Sequence, residues 1–149
     1  AAVKMIITGR AFDNGIICSG EQSVMIPRKS FDKAMSLIPE AKGYVVPLEK
    51  RDALRDVCFP DGHLNRAMVG RTAVEVGKAA GIDVPAGTLA LFVEAENLDD
   101  VLGSGKMYPV LATYRYDTWE EAVEIARNNL NKIGKGHSVV LHSNNDKHI

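Results

Sequence analysis

Short apolar segments alternate with longer amphipathic ones along this chain, and this alternation constrains the fold more than any other feature. The apolar segments have the length of strands, and the one at 88–93 is almost entirely apolar, as expected of a strand buried on both faces. Because helical segments separate the strands, the connections are crossovers, which join parallel strands. The sequence therefore predicts an α/β fold with a mainly parallel sheet and flanking helices. The five predicted strands lie at 23–26, 44–46, 88–93, 110–114 and 138–141.

Five helices are predicted from apolar residues that recur at helical spacing. The first begins almost at the start of the chain, and the others follow Ser30, Pro47, Thr72 and Thr118. The last of them is predicted to end at Ile133. Thr72 and Thr118 are each followed three residues later by a glutamate, which is the pattern of a capping box at the start of a helix.

Length and charge exclude several classes of protein. A chain of 149 residues is sufficient for one domain and too short for two well-buried ones. Its 18 basic and 19 acidic residues leave a net charge of −1, so no basic face for nucleic acid is expected. No apolar run approaches the roughly 18 residues of a membrane span. We therefore expect neither a nucleic acid nor a membrane as partner.

The cysteines and histidines favour a reducing compartment and no bound metal. Two cysteines are too few for a disulfide scaffold, so we expect a cytoplasmic protein. The four histidines lack ligand spacing relative to the cysteines or to paired carboxylates, so we expect no metal site. The chain begins with Ala1 rather than Met, and its apolar helical pattern starts at once. We expect it to be a piece of a longer protein, cut at a domain boundary.

The most unusual stretch surrounds Cys18, at 11–22 between the first helix and the first strand. Asn14 and Gly15 favour a tight turn, because both residue types tolerate positive φ. The small residues Ser19 and Gly20 would let a carbonyl group approach the sulfur and would leave backbone amides free to stabilise an oxyanion. The same residues also fit a small buried hydrophobe that continues the apolar pair before it.

Residues 12–22, read as Phe-Asp-Asn-Gly-x-x-Cys-x-x-Glu-Gln, resemble the nucleophile segment of the CoA-acylating aldehyde dehydrogenases. The resemblance is to the aldehyde dehydrogenase half of bifunctional aldehyde–alcohol dehydrogenases and to the ethanolamine- and propanediol-pathway enzymes. It continues in order and approximate spacing at 65–70, 80–85, 108–112 and 136–143, and so covers nearly the whole chain. It implies that residues 1–149 are the thiol-bearing catalytic domain of the aldehyde dehydrogenase fold, with the cofactor-binding domain absent from this chain.

The resemblance implies a mechanism centred on Cys18. Its thiolate adds to an aldehyde carbonyl, hydride passes to a nicotinamide cofactor, and the thiol of coenzyme A takes the acyl group from the resulting thioester. His137 matches a histidine that the family places near the reacting thiol, where it could manage protons. The alternative is a histidine that merely begins a strand. The expected site comprises Cys18 and His137 as catalytic residues, and Asn14, Gly15, Ile17 and Ser19 as the substrate or cofactor pocket.

The resemblance also implies NAD as the cofactor, with NADP not excluded, and a small aldehyde and coenzyme A as substrates. No Gly-x-Gly-x-x-Gly sequence is present to bind a dinucleotide, so the isolated chain is expected to fold without turning over. Many relatives carry a glutamate that contacts the nicotinamide ribose, but the aligned residue here is Gly105. The parent enzyme is expected to be a homo-oligomer in the cytoplasm or in a bacterial microcompartment.

Two alternatives remain open. A hydrolytic aldehyde dehydrogenase would release a free acid, although Ile16 and the Glu21–Gln22 pair speak against it. A non-catalytic α/β interaction module would use Cys18 only for packing. Cys58, on the apolar side of a helix, is predicted to be structural. The remaining candidates are interpreted as structural or loop residues: Glu21, His63 and His142.

Overall fold

Four parallel strands form the sheet in the part of the chain that the structure, a computed structural model, describes, which is residues 1–145. Their spatial order is β1-β4-β3-β2, and in register Ser23 pairs with Ala112 and Leu91 pairs with Val110. The predicted α/β fold with a parallel sheet and flanking helices is therefore confirmed. The strands are β1 Ser23–Pro27, β2 Gly43–Val45, β3 Ala90–Glu94 and β4 Val110–Tyr116.

The five predicted helices are all present, and both predicted capping boxes are confirmed. At the start of one helix, the Glu75 amide donates to Thr72 Oγ1 at 3.2 Å and the Thr72 amide donates to Glu75 Oε2 at 2.8 Å. Thr118 and Glu121 form the same pair of bonds. The helices are α1 Ala2–Ala11, α2 Arg28–Leu37, α3 Arg51–Cys58, α4 Ala73–Ala79 and α5 Trp119–Ile133.

Two helix starts differ from the prediction. The second helix begins at Arg28, directly after β1, and so includes Ser30 rather than following it. The segment after Pro47 first forms a short 3-10 turn over Leu48–Lys50, and α3 begins only at Arg51. Both differences lie within a turn of helix, where the apolar spacing alone does not locate the terminus.

The predicted fifth strand at 138–141 is wrong. These residues belong to no strand, and their side chains are exposed, with Val140 at 66%. A run of β-branched residues becomes a strand only when a neighbouring strand pairs with it and a core covers its side chains. Neither condition is met within residues 1–145, so the local preference for extended structure is not realised as a sheet.

The core lies on both faces of the sheet, because alternate residues of β3 point in opposite directions. Leu91 and Val93 pack with the side chains of α3, α4 and α5. Ala90 and Phe92 belong to a second cluster, with Ile7 of α1 and a side chain of α2. This arrangement explains the nearly continuous apolar run that β3 shows in the sequence. Among the described residues, none of the helices is both long and apolar enough to cross a membrane.

Candidate active site around Cys18

Cys18 lies at the amino edge of the sheet, on the loop of residues 12–22 that joins α1 to β1 and is called the thiol loop below. A second loop, residues 104–109, leads into β4 and is called the lead-in loop. Because β1 and β4 are hydrogen-bonded neighbours, the two loops lie side by side. Ligands of parallel α/β sheets usually bind at the carboxyl edge. General topology rules would therefore have missed this location.

A sharp reversal of the backbone begins the thiol loop. Asp13, Asn14 and Gly15 all have positive φ, at 49°, 50° and 77°. Asp and Asn tolerate this conformation better than most residues, because their short side chains can bond locally. At position 15 only glycine fits, because a Cβ there would lie 2.7 Å from the carbonyl carbon of Tyr108. The Asp-Asn-Gly sequence is thus explained by the turn that it makes.

The thiol itself is presented on a second turn. The Gly20 amide donates to the carbonyl oxygen of Ile17 at 3.2 Å, which leaves Cys18 and Ser19 at the two central positions. Cys18 is a free, exposed cysteine, and Ser19 is also exposed. The interpretation of Cys18 as a buried hydrophobe therefore does not describe its position in this fold.

Contacts with the segment before α4 hold the outer side of the thiol loop. Asn14 Nδ2 donates to the carbonyl oxygen of Gly70 at 3.0 Å. Ile16 packs against Gly70, where an added Cβ would lie 3.0 Å from Ile16 Cδ1. The Gly70 amide in turn donates to the carbonyl oxygen of Met107 in the lead-in loop at 3.0 Å. Gly70 thereby connects the two loops of the site.

Arg10, at the end of α1, holds the inner side of the thiol loop and is fully buried. Its guanidinium donates to carbonyl oxygens of both loops, at distances from 2.6 Å to Gly15 to 3.5 Å to Gly20. Burial lowers the pKa of Arg10 to about 10, with the nearby Glu21 carboxylate opposing the shift, so the side chain stays protonated at neutral pH. The other carbonyl acceptors are those of Glu21, Lys106 and Tyr108.

Lys106 is a second buried cation beneath the site. Its Nζ donates to the carbonyl oxygens of Leu102 at 2.6 Å, Ser104 at 2.9 Å and Gln22 at 3.1 Å. The Gln22 side chain adds two hydrogen bonds to the same loop. Its Nε2 donates to the Lys106 carbonyl oxygen, and its Oε1 accepts from the Lys106 amide. Burial, aided by the positive charge of Arg10, lowers the pKa of Lys106 to about 7.

Neither Arg10 nor Lys106 was identified as a functional candidate from the sequence. A usable signal was nevertheless present for Arg10, because it continues the apolar spacing of Ile6 and Ile7 at a position where an exposed charge does not belong. No comparable pattern marks Lys106, whose burial depends on the loop conformation. The spacing of apolar residues therefore cannot identify a charged side chain, such as Lys106, that is buried by the conformation of a loop.

The structure does not join His137 to the thiol loop. The side chain is exposed, and within residues 1–145 no hydrogen bond or ion pair includes it. His142 and His63 are exposed as well. The Glu21 carboxylate packs against Gly9 of α1, where an added Cβ would overlap it at 2.1 Å.

Cys58 has the opposite environment to Cys18. It is fully buried at the end of α3 among apolar side chains that include Leu54 and Val76. Burial raises the pKa of its thiol to about 12, although the positive charge of Lys106 opposes the shift. The predicted structural role fits this position.

The chain is similar in sequence to aldehyde dehydrogenases, one of which is named as acetylating. No family model matches it. It is 41% identical over 151 residues to a succinate-semialdehyde dehydrogenase (acetylating) of Clostridium kluyveri, a match that covers 99% of this chain and 33% of that protein. It is 33% identical to an aldehyde-alcohol dehydrogenase of Clostridium acetobutylicum, over 98% of this chain and 17% of that protein. The chain thus spans one third or less of the length of these relatives.

A solved structure gives the same result for the fold. The crystal structure of an acetylating aldehyde dehydrogenase from Geobacillus thermoglucosidasius matches with a TM-score of 0.91 and 28% sequence identity. The match covers 99% of this chain and 33% of that one. Sequence and backbone therefore agree on the relatives of this chain over nearly its whole length.

Proposed function

We propose, for a chain that belongs to the CoA-acylating aldehyde dehydrogenase family, that residues 1–149 are the nucleophile-bearing domain of a longer enzyme. That enzyme would convert a small aldehyde, coenzyme A and NAD or NADP into an acyl-CoA and the reduced cofactor, through a thioester on Cys18. The observation that carries the proposal is the free, exposed thiol of Cys18 on a turn whose flanking residues Gly15 and Glu21 accept hydrogen bonds from the buried Arg10. A nucleophile needs both access and a fixed position.

Cys18 would act first as the attacking thiolate. Its sulfur forms a bond to the aldehyde carbon, and the carbonyl oxygen becomes an oxyanion. The amides of Cys18 and Ser19 support this step, because they donate no hydrogen bond within residues 1–145 and the Gly20 amide alone closes the turn. Free backbone N–H groups beside a nucleophile can stabilise a developing oxyanion. Transfer of a hydride from that carbon to NAD or NADP, bound by another part of the enzyme, would leave the acyl group on sulfur as a thioester. The sulfur of coenzyme A would then bond to the acyl carbon, and the bond to Cys18 would break to release its thiolate.

The described residues do not form a cradle for the nicotinamide cofactor. β1 passes directly into α2 at Pro27 and Arg28, so no glycine-rich loop separates that strand from its helix. Position 105 supplies no carboxylate for a ribose, and a Cβ there would lie 2.9 Å from Ile133 Cγ2. We therefore assign the binding of NAD or NADP, whose chemistry is hydride acceptance, to a part of the enzyme outside this segment.

Several properties of the parent enzyme belong to the proposal. Cys18 is its nucleophile, Asn14, Ile17 and Ser19 flank the substrate, and Gly15 shapes the loop from its buried position. His137 would act near the thiol only if the segment that carries it is placed there in the longer protein. The free state of both cysteines supports a cytoplasmic location, with a bacterial microcompartment as the alternative. A homo-oligomeric parent is likewise proposed.

The test is turnover of the full-length protein with acetaldehyde and NAD, with and without coenzyme A. NADH formation should require both coenzyme A and Cys18, so that Cys18→Ala is inactive. The matched control is Cys58→Ala, which removes a buried thiol and should keep kcat within about twofold, since Cys58 touches no reacting group. Turnover without coenzyme A would indicate a hydrolytic enzyme, and full activity of Cys18→Ala would refute the proposal.

A further inference from the structure

Arg10 contacts the thiol-bearing turn on both sides. Its Nη2 donates to the carbonyl oxygen of Gly15 at 2.6 Å, before the turn, and its Nη1 donates to that of Glu21 at 3.2 Å, after it. The same guanidinium donates to the lead-in loop, at 2.9 Å to the carbonyl oxygen of Lys106 and at 2.8 Å to that of Tyr108. One side chain therefore fixes both ends of the turn relative to the neighbouring loop.

We propose that Arg10 is a positioning residue for Cys18, a role that rests on the proposed function and deepens it. Arg10 acts through the backbone of the thiol loop and does not itself touch the reacting atoms. It sets where the Cys18 sulfur lies relative to the substrate carbonyl.

Burial of the Arg10 charge is costly, and the contacts of the side chain must offset that cost. Arg10 is fully buried, and no carboxylate within residues 1–145 forms an ion pair with it, while the nearby Glu21 carboxylate favours its charge. An aliphatic side chain would avoid the cost of desolvation but would leave the carbonyl oxygens of both loops without this donor. A substitution at this point of α1 should therefore release the thiol loop from its position.

The geometry also requires an arginine rather than any cation. Nε, Nη1 and Nη2 each donate to at least one carbonyl oxygen, and five residues supply these oxygens. A lysine has one nitrogen with three N–H groups, so it cannot supply all of these contacts. Gly15 is matched to the arginine, because a Cβ there would lie 2.6 Å from Arg10 Nη2. Arg10 and the Asn-Gly turn thus form one structural unit.

A displaced turn should lower the rate of the chemical step more than it weakens binding. A shift of about 1 Å in a reacting group can reduce a rate by about 100-fold, because attack needs a defined distance and angle. The exposed thiol would still react with a small reagent, which imposes no such geometry. Slow turnover combined with retained alkylation of Cys18 is therefore the signature of a positioning residue.

The experiment compares Arg10→Lys and Arg10→Gln with Arg55→Lys in the full-length enzyme. We expect kcat of both Arg10 variants to fall by about 10- to 100-fold, while KM for aldehyde and the iodoacetamide rate of Cys18 stay within about threefold of wild type. Arg55→Lys is the matched control, because it disrupts a partly buried arginine bound to Asp100 by two hydrogen bonds in another part of the fold. Its kcat should stay within about twofold, even where its melting temperature falls.

Two results would overturn the inference. One is a kcat within twofold of wild type in a folded Arg10 variant, and the other is an equal loss of kcat in Arg55→Lys. If neither Arg10 variant folds, Gly15→Ala tests the contact from the loop side. Its Cβ would lie 2.6 Å from Arg10 Nη2 and would have to displace it, so a kcat within twofold of wild type in this variant would refute the role. Failure of the proposed function is distinguishable, since wild type itself would then show no CoA-dependent, Cys18-dependent turnover.

Discussion

The two cysteines of this chain show how differently one fold can use the same side chain. Cys18 is exposed on a turn that buried polar contacts support, whereas Cys58 is enclosed by apolar side chains at the end of α3. The lead-in loop contributes to both environments. The Tyr108 carbonyl accepts from Arg10 beneath the thiol loop, and the Tyr108 hydroxyl donates to the Cys58 carbonyl.

An exposed thiol on a loop requires polar contacts that hold the loop in place, whereas a buried thiol requires only the packing of apolar side chains around it. An exposed loop has few apolar contacts to fix it, so backbone carbonyls must find donors elsewhere. Arg10 and Lys106 supply those donors from inside the fold. Cys58 needs no buried cation, because the Asn65 amide and the Tyr108 hydroxyl donate to its carbonyl at the end of α3 and the core surrounds its side chain.

The two thiols should differ most in their rates of alkylation. With iodoacetamide at pH 8, Cys18 should react at least about 100-fold faster than Cys58, because the reactive thiolate of Cys58 is disfavoured by its raised pKa and shielded by the core. Mass spectrometry of the labelled peptides measures both rates in one sample. In concentrated urea the two rates should converge, and comparable rates in the folded protein would contradict the difference in exposure between the two thiols.

The sequence predicts most of the fold because its local signals agree with the final packing. The two capping boxes, the end of α5 at Ile133 and the alternation of strands and helices all reappear in the structure. The failure at 138–141 has a physical reason. A strand depends on a partner elsewhere in the chain, so a Val-Val pair carries no information on whether one is present.

The candidate site is predictable only in part. The Asn-Gly turn and the small residues after Cys18 are local features, and the structure places them on one loop. Arg10 contacts the thiol loop at residues 5 to 11 positions away, but it contacts the lead-in loop at residues 96 and 98 positions away, and Lys106 contacts Gln22 across 84 positions. Such contacts appear only once β1 and β4 are paired, and no spacing in the sequence encodes them.

A substitution at Gly15 should disturb the contacts beneath the thiol turn while it leaves both cysteines unchanged. Gly15→Ala combines an unfavourable positive φ with a contact of 2.7 Å to the Tyr108 carbonyl carbon. We expect the free energy of unfolding to fall by about 2–4 kcal/mol. Urea titration of the 149-residue chain, followed by the fluorescence of its one tryptophan, measures the loss.

Gly62→Ala is the matched control for Gly15→Ala. Gly62 has nearly the same φ, +78°, but an added Cβ would meet no atom within 4 Å. Only the backbone strain applies, so about 1 kcal/mol should be lost. Equal losses at the two glycines would show that the close approach of the two loops does not support the thiol turn.

A smaller effect is expected from the pH dependence of Lys106. Its folded pKa of about 7 lies below its ordinary value of 10.5, so above pH 7 the unfolded chain binds a proton that the folded chain does not. Stability should therefore rise with pH by at most about 1.4 kcal/mol per unit between pH 7 and 8.5. Lys106→Met should remove this slope, and Lys78→Met, at an exposed lysine of α4, should retain it. Parallel curves for Lys106→Met and wild type would contradict the assignment.

The weakest of these effects is expected for the Tyr108 hydroxyl, which contacts the Cys58 carbonyl and not Arg10. Tyr108→Phe removes the hydroxyl that donates to the Cys58 carbonyl, but that carbonyl keeps the Asn65 amide as donor at 3.1 Å. The loss should therefore be about 0.5–1.5 kcal/mol, the value of one hydrogen bond rather than of an unpaired buried group. Because Arg10 binds the Tyr108 carbonyl and not its hydroxyl, the alkylation rate of Cys18 should not change, while that of Cys58 rises as α3 opens more often. A changed alkylation rate of Cys18 would instead show that the Tyr108 ring couples the environments of the two thiols.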